Sequence, residues 1–243
     1  MEIGVIILTV GAFGLAIYQG VRERTALYVV ALLAGQLSTL PSPFWQWLYR
    51  FSYGISGPAL LKLVDHPLPR IVALAGWTAL LPPLLIIALS HRRAWFTSYP
   101  MALLLFTLFL MYQIVIEVVG TQAGWWRYEG PLLPLRISGI ILAALMNALV
   151  SLGVLAALQV TRHYALGSLL LFLLPVPLLL RLLVHGLLGA PIFTVLLIRT
   201  YMPELATESW ADLIGVAGTL ALLGWGVHVV AGTLARQGDH VTT

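Results

Sequence analysis

The chain has 243 residues, 60% of them hydrophobic and 9% charged, with a mean hydropathy of +0.97. That composition excludes a water-soluble protein and points to an all-α polytopic bundle forming a single transmembrane domain. The net charge of +4 comes from scattered basic residues, which excludes a nucleic-acid patch, and the lack of cysteine excludes disulfides, thiolate catalysis and Cys-ligated metals.

Taken in order, the hydrophobic runs predict about seven transmembrane helices. The first, 2–20, has no basic leader and no small-residue cleavage site, so it reads as a retained span. The second, 26–40, is short and stops at Pro41-Ser42-Pro43, because proline ends helices. Residues 44–70 hold Trp45, Trp47, Tyr49, Phe51 and Tyr53 with Arg50 and Lys62, which predicts an interfacial or re-entrant element after helix two. The third span, 71–89, contains Pro82-Pro83 and should kink there. Span four covers 100–119, span five 135–160, and span six 166–188 with Pro175, Pro177, Arg181 and His185 inside it. The apolar run 191–200 is too short to cross alone and either extends span six or re-enters; span seven is 210–234. There is no internal repeat of the kind that marks many transporters. The short basic loops carrying Arg22, Arg24, Arg92, Arg93, Arg162 and Arg236, with few acids among them, place those loops on the cytoplasmic side. The expected orientation is N-terminus outside and C-terminus cytoplasmic, in a prokaryotic cell membrane.

The stretch 112–139, YQIVIEVVGTQAGWWRYEGPLLPLRISG, is the most informative. Glu117 is a carboxylate near the end of an apolar run, where an ionised group costs several kcal/mol unless it has a use or a route to water. The simple alternative is a Glu that snorkels to the interface. Gln113 lies one helical turn earlier and can hydrogen-bond Glu117 or position a substrate. Trp125, Trp126 and Tyr128 in the exit loop are what a bilayer interface selects. The seven-span arrangement also gathers Arg136, Arg181, His185 and Asp212 toward the same end of the bundle, with Arg181 and His185 on one helix face. Asn147 and Ser151 form a further one-turn pair, best read as interhelical hydrogen bonding.

Other motifs point elsewhere. Gly54-Ile55-Ser56-Gly57 matches the short pattern of rhomboid-type serine proteases, but the His- and Asn-bearing helix that should precede it is missing. Asp65-His66 beside Pro67 and Pro69 reads as a loop turn rather than a metal or relay pair. His228 reads as a hydrogen-bonded core histidine. No metal-binding or phosphate-loop motif is present, so no cofactor is expected.

Glu117, Gly120, Gly124, Tyr128 and Gly139, set between two hydrophobic spans, resemble the central signature of membrane carotenoid-biosynthesis proteins of the bisanhydrobacterioruberin hydratase type. The arrangement is also similar to AveC-like spirocyclases and, more loosely, to membrane-bound meroterpenoid cyclases. The chain departs from the signature at Gly139-Ile140-Ile141, where a Gly-hydrophobic-Pro triplet is expected. The resemblance implies a cofactor-independent cyclase, hydratase or isomerase acting on a hydrophobic small molecule of terpenoid, carotenoid or polyketide type. The residues support that class on their own terms. Burial raises a carboxyl pKa toward neutrality, and aromatic faces steady the cation that protonation creates. On this reading Glu117 is the proton donor and Asp212 the second carboxylate. Arg136, or Arg181 with His185, would hold Asp212 ionised or bind a polar substrate group, and Trp125, Trp126 and Tyr128 would line the pocket. A small transporter or channel using Glu117 and Arg181 as coupling charges, or a non-catalytic membrane subunit, fits the same sequence.

Overall fold

The computed structural model describes residues 2–55, 57–63, 65–89, 98–128, 139–202 and 209–239. Among these, six helices are long and apolar enough to cross a membrane, and a seventh span is formed if a bent pair counts as one. The long ones are α1 (Glu2–Glu23), the run from α4 (Arg70–Leu74) through a 3₁₀ turn (Ala75–Leu80) to α5 (Leu81–Leu89), and α6 (Tyr99–Gln122). They continue with α7 (Gly139–Thr161), the run from α8 (Leu166–Phe172) and α9 (Val176–Arg181) through a π-helical segment (Leu182–Leu188), and α11 (Ser209–Asp239). The bent pair is α2 (Leu27–Leu37) with α3 (Ser42–Tyr49), which meet at 46°. The short apolar α10 (Ala190–Tyr201) follows the π segment directly. This is an integral membrane architecture.

Helix α7 is the axis of the bundle, with 61% of its apolar window buried against 17% for α1. Leu152, Leu155 and Leu158 of α7 are fully enclosed by neighbouring helices. By contrast, α1 turns Ile3, Ile7, Leu15 and Val21 outward, as a lipid-facing peripheral helix does.

Prolines break several spans, and neighbouring side chains repair the backbone. Pro82 and Pro83 have no N–H to give to the carbonyls of Thr78 and Ala79, four residues earlier. The chain tightens into 3₁₀ geometry there, the Tyr112 hydroxyl of α6 donates to Thr78 O (2.9 Å), and Ser151 Oγ of α7 lies 3.3 Å from Ala79 O. Helix α2 likewise stops short of Pro41. The Ser38 and Thr39 hydroxyls bond back to the carbonyls of Gly35 and Gln36, and Arg181 Nη1 donates to Ser38 O (3.2 Å). At the start of α10 the N–H of Ile192 bonds Thr219 Oγ1 of α11 (3.1 Å). A bundle in hydrocarbon needs such partners because no water replaces a lost backbone bond.

The segment expected to be interfacial is more structured than its composition suggests. After α3 it forms two antiparallel ribbons. Strand β2 (Ala59–Leu63) pairs with β3 (His66–Pro69) as a hairpin, with Lys62 and Asp65 paired at its turn. Asp65 thus sits in the turn, as expected, while His66 opens strand β3 and pairs with Leu63. Strand β1 (Phe51–Tyr53) pairs with the distant β4 (Trp126–Tyr128), so that Phe51 faces Tyr128 and Tyr53 faces Trp126. His228 is hydrogen-bonded as expected, to the Tyr99 hydroxyl (3.0 Å), but it is exposed on the bundle surface rather than in its core.

Candidate functional site

Helix α6 buries one stripe, Ala102, Leu105, Phe109, Gln113, Glu117 and Gly120, at the spacing of three and four residues that faces a helix toward a core. Glu117 is therefore held inside the bundle, only 7% exposed. Its Oε2 accepts two hydrogen bonds, from the Trp126 indole N–H (2.9 Å) and the Tyr128 hydroxyl (2.7 Å). Both donors come from β4, only nine and eleven residues further on, so the chain must turn back tightly onto its own helix.

Glycines make that return possible. Gly124 adopts a left-handed φ of +70°, and the N–H of Trp125 closes the turn on Gly120 O (2.8 Å). A Cβ on Gly120 would lie 2.1 Å from the Trp126 ring, and one on Gly139 would lie 3.0 Å from the Tyr128 ring. Gly120 and Gly139 are the spaces into which the two donors of Glu117 fit.

These groups line a cavity of about 330 Å³, within the usual range of ~300–1,000 Å³ for small-molecule sites. Glu117, Trp126 and Tyr128 form part of its wall. Helix α3 adds Ser42, Trp45 and Tyr49, and β1 adds Phe51 and Tyr53. Helix α7 contributes Ile140, Leu142, Met146 and Asn147, while Arg181 and His185 come from the proline-broken sixth span. The Tyr49 hydroxyl donates to the carbonyl of His185 and ties α3 to that span. Burial, and then the adjacent Glu117 carboxyl, push the Tyr128 phenol well above the usual tyrosine range. Burial likewise raises Tyr53, against the opposing effects of its hydrogen bond with Ser42 and of nearby Arg181. Both phenols therefore stay protonated at neutral pH.

The structure brings together five of the residues singled out in the sequence: Glu117, Trp126, Tyr128, Arg181 and His185. Three others are elsewhere. Gln113 neither bonds Glu117 nor lines the cavity; its amide donates to Ser151 (3.4 Å), making it a link between α6 and α7. Trp125 packs its ring obliquely on Trp126, 6.2 Å between centroids, and stands behind the wall rather than in it. Asp212 is buried but pairs with Arg199 of α10, not with Arg181 or His185, and it is absent from the cavity wall. The reason is that α10 packs along the first half of α11, which brings the two charges side by side. Arg136 lies outside the described residues.

The Glu117–Arg181 ion pair that a purely structural role would need is not formed: Arg181 bonds Ser38 O, and Glu117 bonds Trp126 and Tyr128. Sequence reading missed Trp45, Tyr49, Phe51 and Tyr53 as cavity residues. Their signals were present, Trp45 and Tyr49 at helical spacing of four and Phe51 and Tyr53 at strand spacing of two. Ser151 fulfils its expected interhelical role, whereas Asn147 faces the cavity. Among the described residues, no three His, Cys, Asp or Glu side chains cluster as a metal site would require. The chain matches no protein-family model, no curated protein and no solved structure.

Proposed function

We propose that this is a membrane enzyme that cyclises, hydrates or isomerises a lipophilic alkene by proton transfer from Glu117. The observation that carries the reading is the double hydrogen bond to one oxygen of an enclosed carboxyl. With Oε2 accepting from Trp126 and Tyr128, the proton of the neutral acid belongs on Oε1, which has no hydrogen bond among the described residues. Delivering that proton to a substrate carbon leaves a carboxylate already held by two donors, and such bonds strengthen when the acceptor becomes charged. The carbocation formed meets the rings of Tyr49, Phe51, Tyr53 and Trp126, whose π-faces attract positive charge. A base, which Glu117 itself becomes after the first transfer, then removes a proton from the cation, or water adds to it. The same wall supports the resemblance to carotenoid hydratases and spirocyclases, since Glu117, Gly120, Gly124, Tyr128 and Gly139 are the residues that build this one arrangement.

The test is turnover of isoprenoid alkenes by purified protein in heavy water. Transfer from an exchangeable carboxyl places one deuterium on carbon in each product molecule. Glu117→Gln can still accept both hydrogen bonds but cannot deliver a proton, so the rate should fall about 10²–10⁴-fold, the usual worth of acid–base catalysis. Like the neutral acid, the amide is uncharged and keeps both acceptor bonds, so its melting midpoint should stay at or above wild type. Equal rates in wild type and Glu117→Gln, or product without carbon-bound deuterium, would end the proposal. The broken α2–α3 span beside the cavity favours transport as a second reading, because discontinuous helices build many transporter sites. Transport leaves the molecule chemically unlabelled, which separates the two.

A further inference from the structure

Arg181 is a permanent cation in an otherwise apolar helix, and it lines the cavity. Among the described residues its guanidinium makes one hydrogen bond, to Ser38 O, and no ion pair. A guanidinium has five N–H donors, so most of them have no protein acceptor. Three other polar groups of the same wall share this condition, the imidazole of His185 among them. The Asn147 side-chain amide has no hydrogen bond among the described residues. Trp45 Nε1 is the one buried side-chain nitrogen or oxygen there without a partner, on a residue only 6% exposed. A purely hydrocarbon ligand filling this space would strip water from the guanidinium and put nothing in its place, an outcome that low-dielectric surroundings penalise heavily.

We infer that the cavity takes an amphiphile with an oxyanion head, a carboxylate or a phosphate, bound by Arg181 with Asn147 beside it. The planar fork of arginine suits two-oxygen groups of this kind. The hydrocarbon part of the ligand then lies against the apolar wall of Phe51, Leu142 and Met146. The inference rests on the reading of this cavity as the substrate site, and it adds the substrate class: a lipid acid or lipid phosphate whose double bond reaches Glu117.

Three probes that share one chain test it: farnesoic acid, farnesyl monophosphate and farnesol, each tritiated and equilibrated with the purified protein. At least one oxyanion should bind about tenfold or more tightly than the alcohol, as expected for hydrogen bonds to charged groups, and the tighter of the two identifies the head. Arg181→Gln should abolish the preference, and Arg181→Lys, which keeps the charge and a donor for Ser38, should retain much of it. The readout is equilibrium binding to the wild-type protein and needs no turnover. Loss of the proton-transfer result with the anion preference intact therefore overturns the catalytic reading alone. Equal affinity of the wild-type protein for all three heads overturns this inference without requiring any variant to fold, as does an undiminished preference in Arg181→Gln.

Discussion

Gly120→Ala is the sharpest test of how the Glu117 site is built, because two effects of opposite sign compete there. Alanine is the better helix former, so on propensity alone the change stabilises α6 by about 1 kcal/mol. The new Cβ, however, would lie 2.1 Å from Trp126 Cη2 and Cζ2, where carbon atoms normally stay ~3.5 Å or more apart. The indole must retreat by about 1.4 Å, the difference between those two distances. Because the ring moves as a rigid plate, its N–H then leaves the 2.9 Å bond to Glu117 and falls outside hydrogen-bonding range. Overpacking costs about 1–3 kcal/mol and the lost bond about 1 kcal/mol more. The clash wins, and the net loss is roughly 1–3 kcal/mol, a fall of roughly 2–12 °C in the melting midpoint for a chain of this size.

The decisive measurement is the double-mutant cycle with Trp126→Leu. Once the indole is gone, nothing opposes the added methyl, so Gly120→Ala should become neutral or stabilising by up to about 1 kcal/mol. Thermal midpoints of the four proteins in one detergent give the result. If Gly120→Ala costs the same with and without Trp126, or melts with wild type, the return of the exit turn onto Glu117 is wrong.

Three further outcomes follow from the same geometry. Trp126→Leu should lower deuterium incorporation while Trp125→Leu leaves it near wild type, since only the first ring lines the cavity; parallel losses of stability and rate in both would make them packing residues. Asp212→Asn should cost about 3 kcal/mol by stranding Arg199, with turnover per folded molecule unchanged; lost turnover at unchanged stability would restore Asp212 as the second carboxylate. In this chain without cysteine, Asp65→Cys should react with an impermeant thiol reagent in intact cells and His163→Cys should not; the opposite pattern inverts the expected orientation.

The spans were legible because hydrocarbon selects long apolar runs, and that signal is stronger than any local propensity. Glu117 was legible for the converse reason: a lone carboxylate in such a run is rare. What the sequence could not disclose was pairing at a distance. Strands of three residues carry almost no pattern, so nothing local announces that Phe51–Tyr53 will hydrogen-bond to Trp126–Tyr128. Asp212 looked available because its position at the head of a span is visible, whereas its partner Arg199 becomes a neighbour only when α10 packs beside α11.

A single physical question sorts the polar residues of this bundle: does the side chain repair a gap in the backbone? Tyr112, Ser151, Thr219, Ser38 and Thr39 do, each bonding a carbonyl or N–H at a break or helix end. Their presence is explained by the folds of the chain that prolines impose, and no further role is needed. Glu117, Tyr128, Trp126 and Asn147 repair nothing, and all four face the cavity. Arg181 belongs to both groups, since one donor completes the α2–α3 break and the others have no protein acceptor among the described residues. That double position ties the geometry of the broken span to whatever occupies the cavity. An anion on the free side of the guanidinium would be held by the same side chain that completes the break, so the ligand and the closure of the break share one residue.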